Sequence, residues 1–429
     1  MAQRATRAPV SSASDMHPRS RRAWLNAPVY RQGLQAVLAA FLVTRLMMSA
    51  IIYLSSLLFA SNPVITAPHA FPHNLLLDGL VHWDSLWYWR IVTQGYSLHA
   101  TPTEGSVVFF PAYPVLIKAV MAVVHNPYLA GLLVSNAALF VALCYVYALA
   151  RRELGEDAAA RAVFYVAAAP AAVFFSAMYT ESLFLVAVAA TFYYARERQW
   201  VRAALAGALG AATRNTGVLL ALVIALEGMS QAGVRFTPPH WKLAAVLAHV
   251  RGQTGLMLVN QRSLSAAAFV PVGLLLFMAY LGKTFGDPLA WAHNQSGWNN
   301  ISTAHIAHIT STLRTDVASP TQLLSGQGLH SGYVVLDVLS IVGFAPIVLA
   351  VALKMRPAYG VYTLLTFVLP PIFGHGVISA IRFALMLLPC FILLAAWGRR
   401  GMVDRIILGV FLPVMTYLSI TFSHAYPPF

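Results

Sequence analysis

The chain has 429 residues, 59% of them hydrophobic and only 10% charged, with a mean hydropathy of +0.68. Soluble domains carry about 25% charged residues, so this composition excludes a soluble enzyme and points to an all-α polytopic integral membrane protein. The net charge of +14 does not indicate a nucleic-acid partner, because the basic residues punctuate apolar runs instead of gathering on one soluble face.

The first 24 residues hold five arginines and one acid with no apolar stretch, which predicts a disordered basic cytoplasmic tail over about residues 1–30. A span needs about 20 mostly apolar residues. Runs of that kind cover about 34–59, 128–150, 160–177, 180–196, 264–282, 332–353, 358–374, 379–397 and 403–422. The run 202–229 is interrupted by "TRNTG" at 213–217, which predicts two short helices meeting at a polar turn.

Lys and Arg concentrate in the tail, 151–161, 196–202, 230–263, 354–356 and 398–405, which places these segments in the cytoplasm. The first external loop is then 60–107, the second long external loop 284–331, and 177–180, 213–217 and 375–380 are external turns. The alternation holds only if 108–124 does not span. Pro111, Pro114 and Lys118 fit a segment lying at the outer interface. Cys144 and Cys390 lie inside apolar runs and read as small core residues.

Polar groups close to the membrane carry the chemistry. "HWDSLWYWRIVTQGY" (82–96) surrounds one carboxylate, Asp84, with Trp83, Trp87, Tyr88 and Trp89. A partly desolvated carboxylate there can take a proton from an attacking hydroxyl, and it reads equally as a helix cap within an aromatic belt. Glu181, in "SAMYTES", is a second external acid and Glu104 a third. Acids from separate turns can share substrate hydroxyls or a divalent cation such as Mg or Mn; Asp84 and Glu181 are the candidate ligands, and either acid can instead serve as a helix cap.

Arg45, Arg214 and Arg382 sit where charge is costly. A planar fork of donors suits a lipid-linked phosphate, while snorkelling or pairing with an acid explains the same placement. The histidines show no metal-ligand spacing, His305 and His308 included. No glycine-rich phosphate loop and no folded cytoplasmic site are present, so a transferase of this kind must draw its donor from the membrane.

Five stretches resemble a known family. "LLLDGLVHWDSLWYWRIVTQGY", "VVFFPAYP", "FFSAMYTESLFLVAVAATFYYA", "GALGAATRNTGVLLAL" and "SAIRFALMLLPCFILLA", in that order over about 75–397, look like the PIG-V-type mannosyltransferases and their bacterial relatives, members of the GT-C superfamily. The resemblance implies a GT-C fold of about 11 membrane segments over 31–429, with juxtamembrane helices in the first external loop. It implies a polyprenyl-phosphate sugar donor, usually of mannose, and a glycolipid, polymer or protein acceptor on the external face.

The family's catalytic aspartate falls on Asp84, its second acidic motif on Glu181 without a paired acid, and arginines of its motifs on Arg214 and Arg382. Phosphate binding by those arginines is a physical inference. Trp83, Trp87, Tyr88 and Phe110 read either as the wall of a sugar or prenyl groove or as interface anchors. The composition suits a bacterial inner membrane, with the N-terminus cytoplasmic and the site periplasmic. A GT-C enzyme for another sugar, or a transporter or lipid flippase, remains the alternative.

Overall fold

The structure is a computed structural model that describes residues 28–62, 69–99, 105–234, 260–295, 329–373 and 379–426; among them all regular structure is helical. Glu104, His305, His308, His375, the tail to residue 27 and most of 230–263 and 284–331 lie outside the described residues.

Helix α1 is Pro28–Leu58. Two short helices follow in the first loop, α2 Leu75–Asp78 and α3 Asp84–Gln94. Helix α4, Ala112–Val124, has 13 residues and is about 20 Å long, too short to cross alone, as Pro111 and Lys118 led one to expect. Helix α5, Pro127–Leu154, has clear punctuation: Asn126 accepts the Leu129 amide at 2.9 Å, Pro127 occupies the first turn, and Gly155 at φ +90° stops it.

The next run departs from expectation. Helix α6 covers only Glu156–Ala167, and 168–180 is turns and a 3-10 segment, wholly buried, so 160–177 is a half-length helix followed by irregular chain. Irregular backbone at such depth is tolerated only inside protein, where its polar groups find partners. Arg45 supplies some of them. Its guanidinium donates to the Ala167 carbonyl at 2.7 Å, the Ala172 carbonyl at 3.1 Å and Ser176 Oγ at 2.9 Å. Among the described residues it pairs with no acid; it caps the carbonyl end of α6.

Helix α7, Glu181–Arg196, runs through the centre and packs on α5 and on α8, Trp200–Thr213. The polar turn at "TRNTG" is present: α8 stops, a 3-10 turn covers Asn215–Leu219, and α9 is Leu220–Gln231. The turn needs a glycine because the chain doubles back tightly. A Cβ on Gly217 would lie 2.1 Å from the Gly210 carbonyl.

The remaining helices are α10 Gln261–Phe269, α11 Val272–Phe285, α12 Ala290–His293, α13 Leu329–Lys354, α14 Pro357–Phe373, α15 Ala380–Phe383, α16 Leu388–Trp397 and α17 Gly401–Ser423. Among the described residues five helices are long and apolar enough to cross a membrane, with a sixth if α15 and α16, bent by 79°, form one broken span. The chain is an integral membrane protein. The difference from about 11 segments arises because α6, α7, α8, α9 and α14 are shorter apolar pieces, several joined by irregular turns.

The two ends of α7 carry separate ionic clusters. At its C-terminal end Arg196 donates to Glu153 at 2.6 Å and Glu227 at 2.9 Å, and Arg356 grips the 1% exposed Glu227 with two donors at 2.9 and 3.0 Å. Arg152 pairs with Glu197 close by. Apart from Glu227, near the end of the run 202–229, these residues come from segments expected together on one face. Glu181 opens the other end of α7, about 22 Å away by helical rise.

Candidate active site

Four charged side chains meet at the Glu181 end. Arg382 is the centre: its Nη2 donates to Asp84 Oδ2 at 2.8 Å and its Nε to Glu181 Oε1 at 2.5 Å. Arg214 Nη2 donates to the same Glu181 oxygen at 2.7 Å. The four residues are thus brought together from the first loop, the start of α7, the break after α8 and the segment before α16. Side-chain exposure grades from 0% at Glu181 through 9% at Arg382 and 15% at Arg214 to 20% at Asp84, so the cluster is buried at Glu181 and opens at Asp84.

Local structure explains each position. Asp84 and Glu181 are the first residues of α3 and α7, where the positive end of the helix favours a carboxylate. Neither Trp83 nor Thr180, the preceding cap residues, contributes a side-chain cap bond, and both acids spend oxygens on arginine. Trp83 sits at φ +56° and ψ −113°, a positive-φ conformation that costs a bulky residue of order 1–3 kcal/mol and turns the chain into α3. The Asp84 amide donates to Tyr179 Oη at 3.2 Å, fixing the start of α3 against the loop before α7.

Aromatic faces replace water around the arginines. The Arg382 guanidinium lies 4.6 Å from the Tyr179 ring centroid and 5.1 Å from Phe174. Arg214 lies 5.9 Å from Phe184 and 5.8 Å from Phe383. Such contacts stabilise a desolvated cation by about 2 kcal/mol. Two acids and two arginines leave the cluster neutral, and Glu181 Oε2 is buried with no hydrogen-bond partner among the described residues.

The expected aromatics divide. Tyr88 lies one turn beyond Asp84 on α3, 3% exposed, its ring edge-on to Phe109 and Tyr113 at 5.2 and 4.9 Å. Burial pushes its phenol up, Asp84 and Glu181 add to this, and Arg214 and Arg382 oppose it, so the hydroxyl stays protonated in the field of all four charges. Trp83 packs against the main core beside Asp84. Trp87 stacks on Phe109 at 5.8 Å under the Arg90 guanidinium. Phe110 belongs to a second apolar cluster with Phe277 and Trp291.

A divalent cation does not fit the described residues. Asp84 and Glu181 are bridged by a guanidinium, and no group of three or more metal-ligating side chains forms among the described residues. Sequence reasoning missed Tyr179 and Phe174, which sit just before Glu181, and Asp337, a lone acid in the apolar run of α13. Asp337 carried a usable signal, since an ionisable group at membrane depth is functional by default.

A model of the dolichyl-phosphate-mannose-protein mannosyltransferase family matches residues 108–251, about a third of the chain, including Glu181 and Arg214. Among solved structures, the oligosaccharyltransferase of Archaeoglobus fulgidus in complex with Zn and sulfate is similar at 14% identity and a TM-score of 0.43, covering 91% of this chain and 53% of that one. The same organism's AglB, in complex with an inhibitory peptide and a dolichol-phosphate, is similar at 13% identity and a TM-score of 0.41, covering 92% and 56%. No curated protein sequence matches. The chain spans about half the length of these oligosaccharyltransferases.

Proposed function

We propose that the protein is a GT-C membrane glycosyltransferase of the PIG-V type that moves a sugar, most readily mannose, from a polyprenyl phosphate to an acceptor hydroxyl at the external face. The observation that carries this reading is the convergence of Asp84, Glu181, Arg214 and Arg382 at one end of the bundle. The family match over 108–251 supports it. A small, largely apolar cleft adds to it: Ile341, Phe367, Pro370 and Leu387 line it together with Phe383, the ring beneath Arg214. That sets an apolar lining, against which a prenyl chain could lie, beside donors for its phosphate.

In the mechanism, the donor phosphate takes up hydrogen bonds from Arg382 and Arg214, which loosens Arg382 from Asp84. The acceptor oxygen attacks the anomeric carbon opposite the phosphate, its proton passing to Asp84 as the new C–O bond forms. The bond from that carbon to the phosphate oxygen breaks, the anomeric configuration inverts, and the arginines hold the charge of the departing polyprenyl phosphate. The leaving group is weakly basic, so no general acid is required. Glu181 keeps both arginines charged and aimed.

The test is transfer by purified protein in bilayer nanodiscs, with a panel of radiolabelled polyprenyl-phosphate sugars and a membrane extract as acceptor source. Label reaching a glycolipid, polymer or protein with the mannose donor supports the reading. Transfer from another sugar alone revises the specificity, and no transfer from any sugar points to a transporter or flippase.

A further inference from the structure

Arg382 stands on the one-turn helix α15, which passes through a 3-10 turn at Ala384–Met386 into a 79° bend before α16, so something outside so short a segment must fix where its guanidinium points. Two neighbouring helices do so. Asp337 of α13, 1% exposed, accepts the Ser379 amide on Oδ2 and the Ile381 amide on Oδ1, both at 2.9 Å. Tyr362 of α14 donates its hydroxyl to the Met386 carbonyl at 3.2 Å. Ser379 lies at φ +64°, a left-handed conformation that an unheld serine leaves readily.

A carboxylate buried among apolar helices is costly unless its oxygens are satisfied. Asp337 has no basic partner within ion-pair distance among the described residues, and its two oxygens are met by backbone amides. An apolar side chain would fill the same space at lower cost if packing were the whole requirement. The residue that gains from the arrangement is Arg382, one position beyond the second clamped amide.

We infer that Asp337 is a positioning residue: its carboxylate clamps the 379–381 backbone so that Arg382 bridges Asp84 and Glu181 in the geometry that receives the donor phosphate. The functional part of this inference rests on the transferase reading above. The clamp itself does not.

The experiment combines Asp337→Asn, which keeps the shape and forfeits one acceptor, with Arg382→Lys in the full-length protein. Transfer kinetics for the two single variants and the double variant are read beside amide hydrogen exchange over 379–387. Asp337→Asn is expected to speed exchange at Ser379 and Ile381 and to lower kcat/KM about tenfold in the wild-type background, but no more than about twofold when Arg382 is already lysine. Equal factors in both backgrounds, or unchanged exchange, overturn the inference. If Asp337→Asn does not fold, Asp337→Ser, which retains a short cap acceptor, is put through the same cycle. Wild-type protein inactive with every polyprenyl-linked sugar overturns the transferase reading instead, and the exchange measurement then decides the clamp alone.

Discussion

Arg382 Nη2 lies 2.8 Å from Asp84 Oδ2, joining residues 298 positions apart, while Nε of the same guanidinium holds Glu181. One planar fork thus spans two carboxylates from two loops. A lysine delivers the charge from a single point and reaches both acids poorly. Arg382→Lys is therefore expected to keep the fold and to lower kcat/KM by about 10–100-fold, a loss of about 1.4–2.7 kcal/mol of transition-state stabilisation. Steady-state transfer kinetics check this.

Glu181 is fully buried and accepts from two arginines at one oxygen. Removing it leaves two cations facing each other in a desolvated site. Breaking a buried pair costs about 3–5 kcal/mol, so Glu181→Ala should lose stability on that scale and activity with it. Denaturant titration in detergent measures the first, and Glu181→Gln, which keeps the shape, should fall between the two.

Arg45 offers a contrast. It holds two carbonyls and a hydroxyl of the irregular 167–176 stretch and meets no acid within ion-pair distance among the described residues. Arg45→Met should cost about 1–3 kcal/mol for each carbonyl left unpaired. The protein that still folds should keep its donor KM, because Arg45 does not reach Asp84 or Arg382. Thermal stability read beside KM separates the two effects.

His82, in the first loop, donates from Nε2 to the Ser423 carbonyl at 3.2 Å. Burial lowers its pKa, opposed by Asp78 and by the Ser423 carbonyl, and aided weakly by His69 and His424. The folded protein then binds fewer protons than the unfolded chain, so stability present above the unfolded value of about 6.5 falls as pH drops below it. Apparent Tm followed from pH 7.5 to 5 should decline less in His82→Gln than in wild type.

Much of this was legible in sequence, for physical reasons. "TRNTG" announced its break because Arg and Asn cannot sit unsupported in an apolar helix, and the break is there between α8 and α9. Pro111 and Lys118 marked α4 as a helix that does not cross alone. The irregular 168–180 was not legible, since its residues are as apolar as a span and several of its carbonyls are satisfied by side chains far away in sequence, Arg45, Ser85, Ser135 and Asn136. The pairing of Arg382 with both acids was equally hidden, because nothing local to "SAIRF" encodes contacts 201 and 298 positions away.

Transfer of radiolabelled mannose from polyprenyl-phosphate mannose by purified wild type and Asp84→Asn, at equal folded concentration, bears most directly on the chemistry. With Asp84 as the base, the asparagine variant binds donor and loses about 10²–10⁴-fold in kcat. Transfer by Asp84→Asn at the wild-type rate would contradict that assignment.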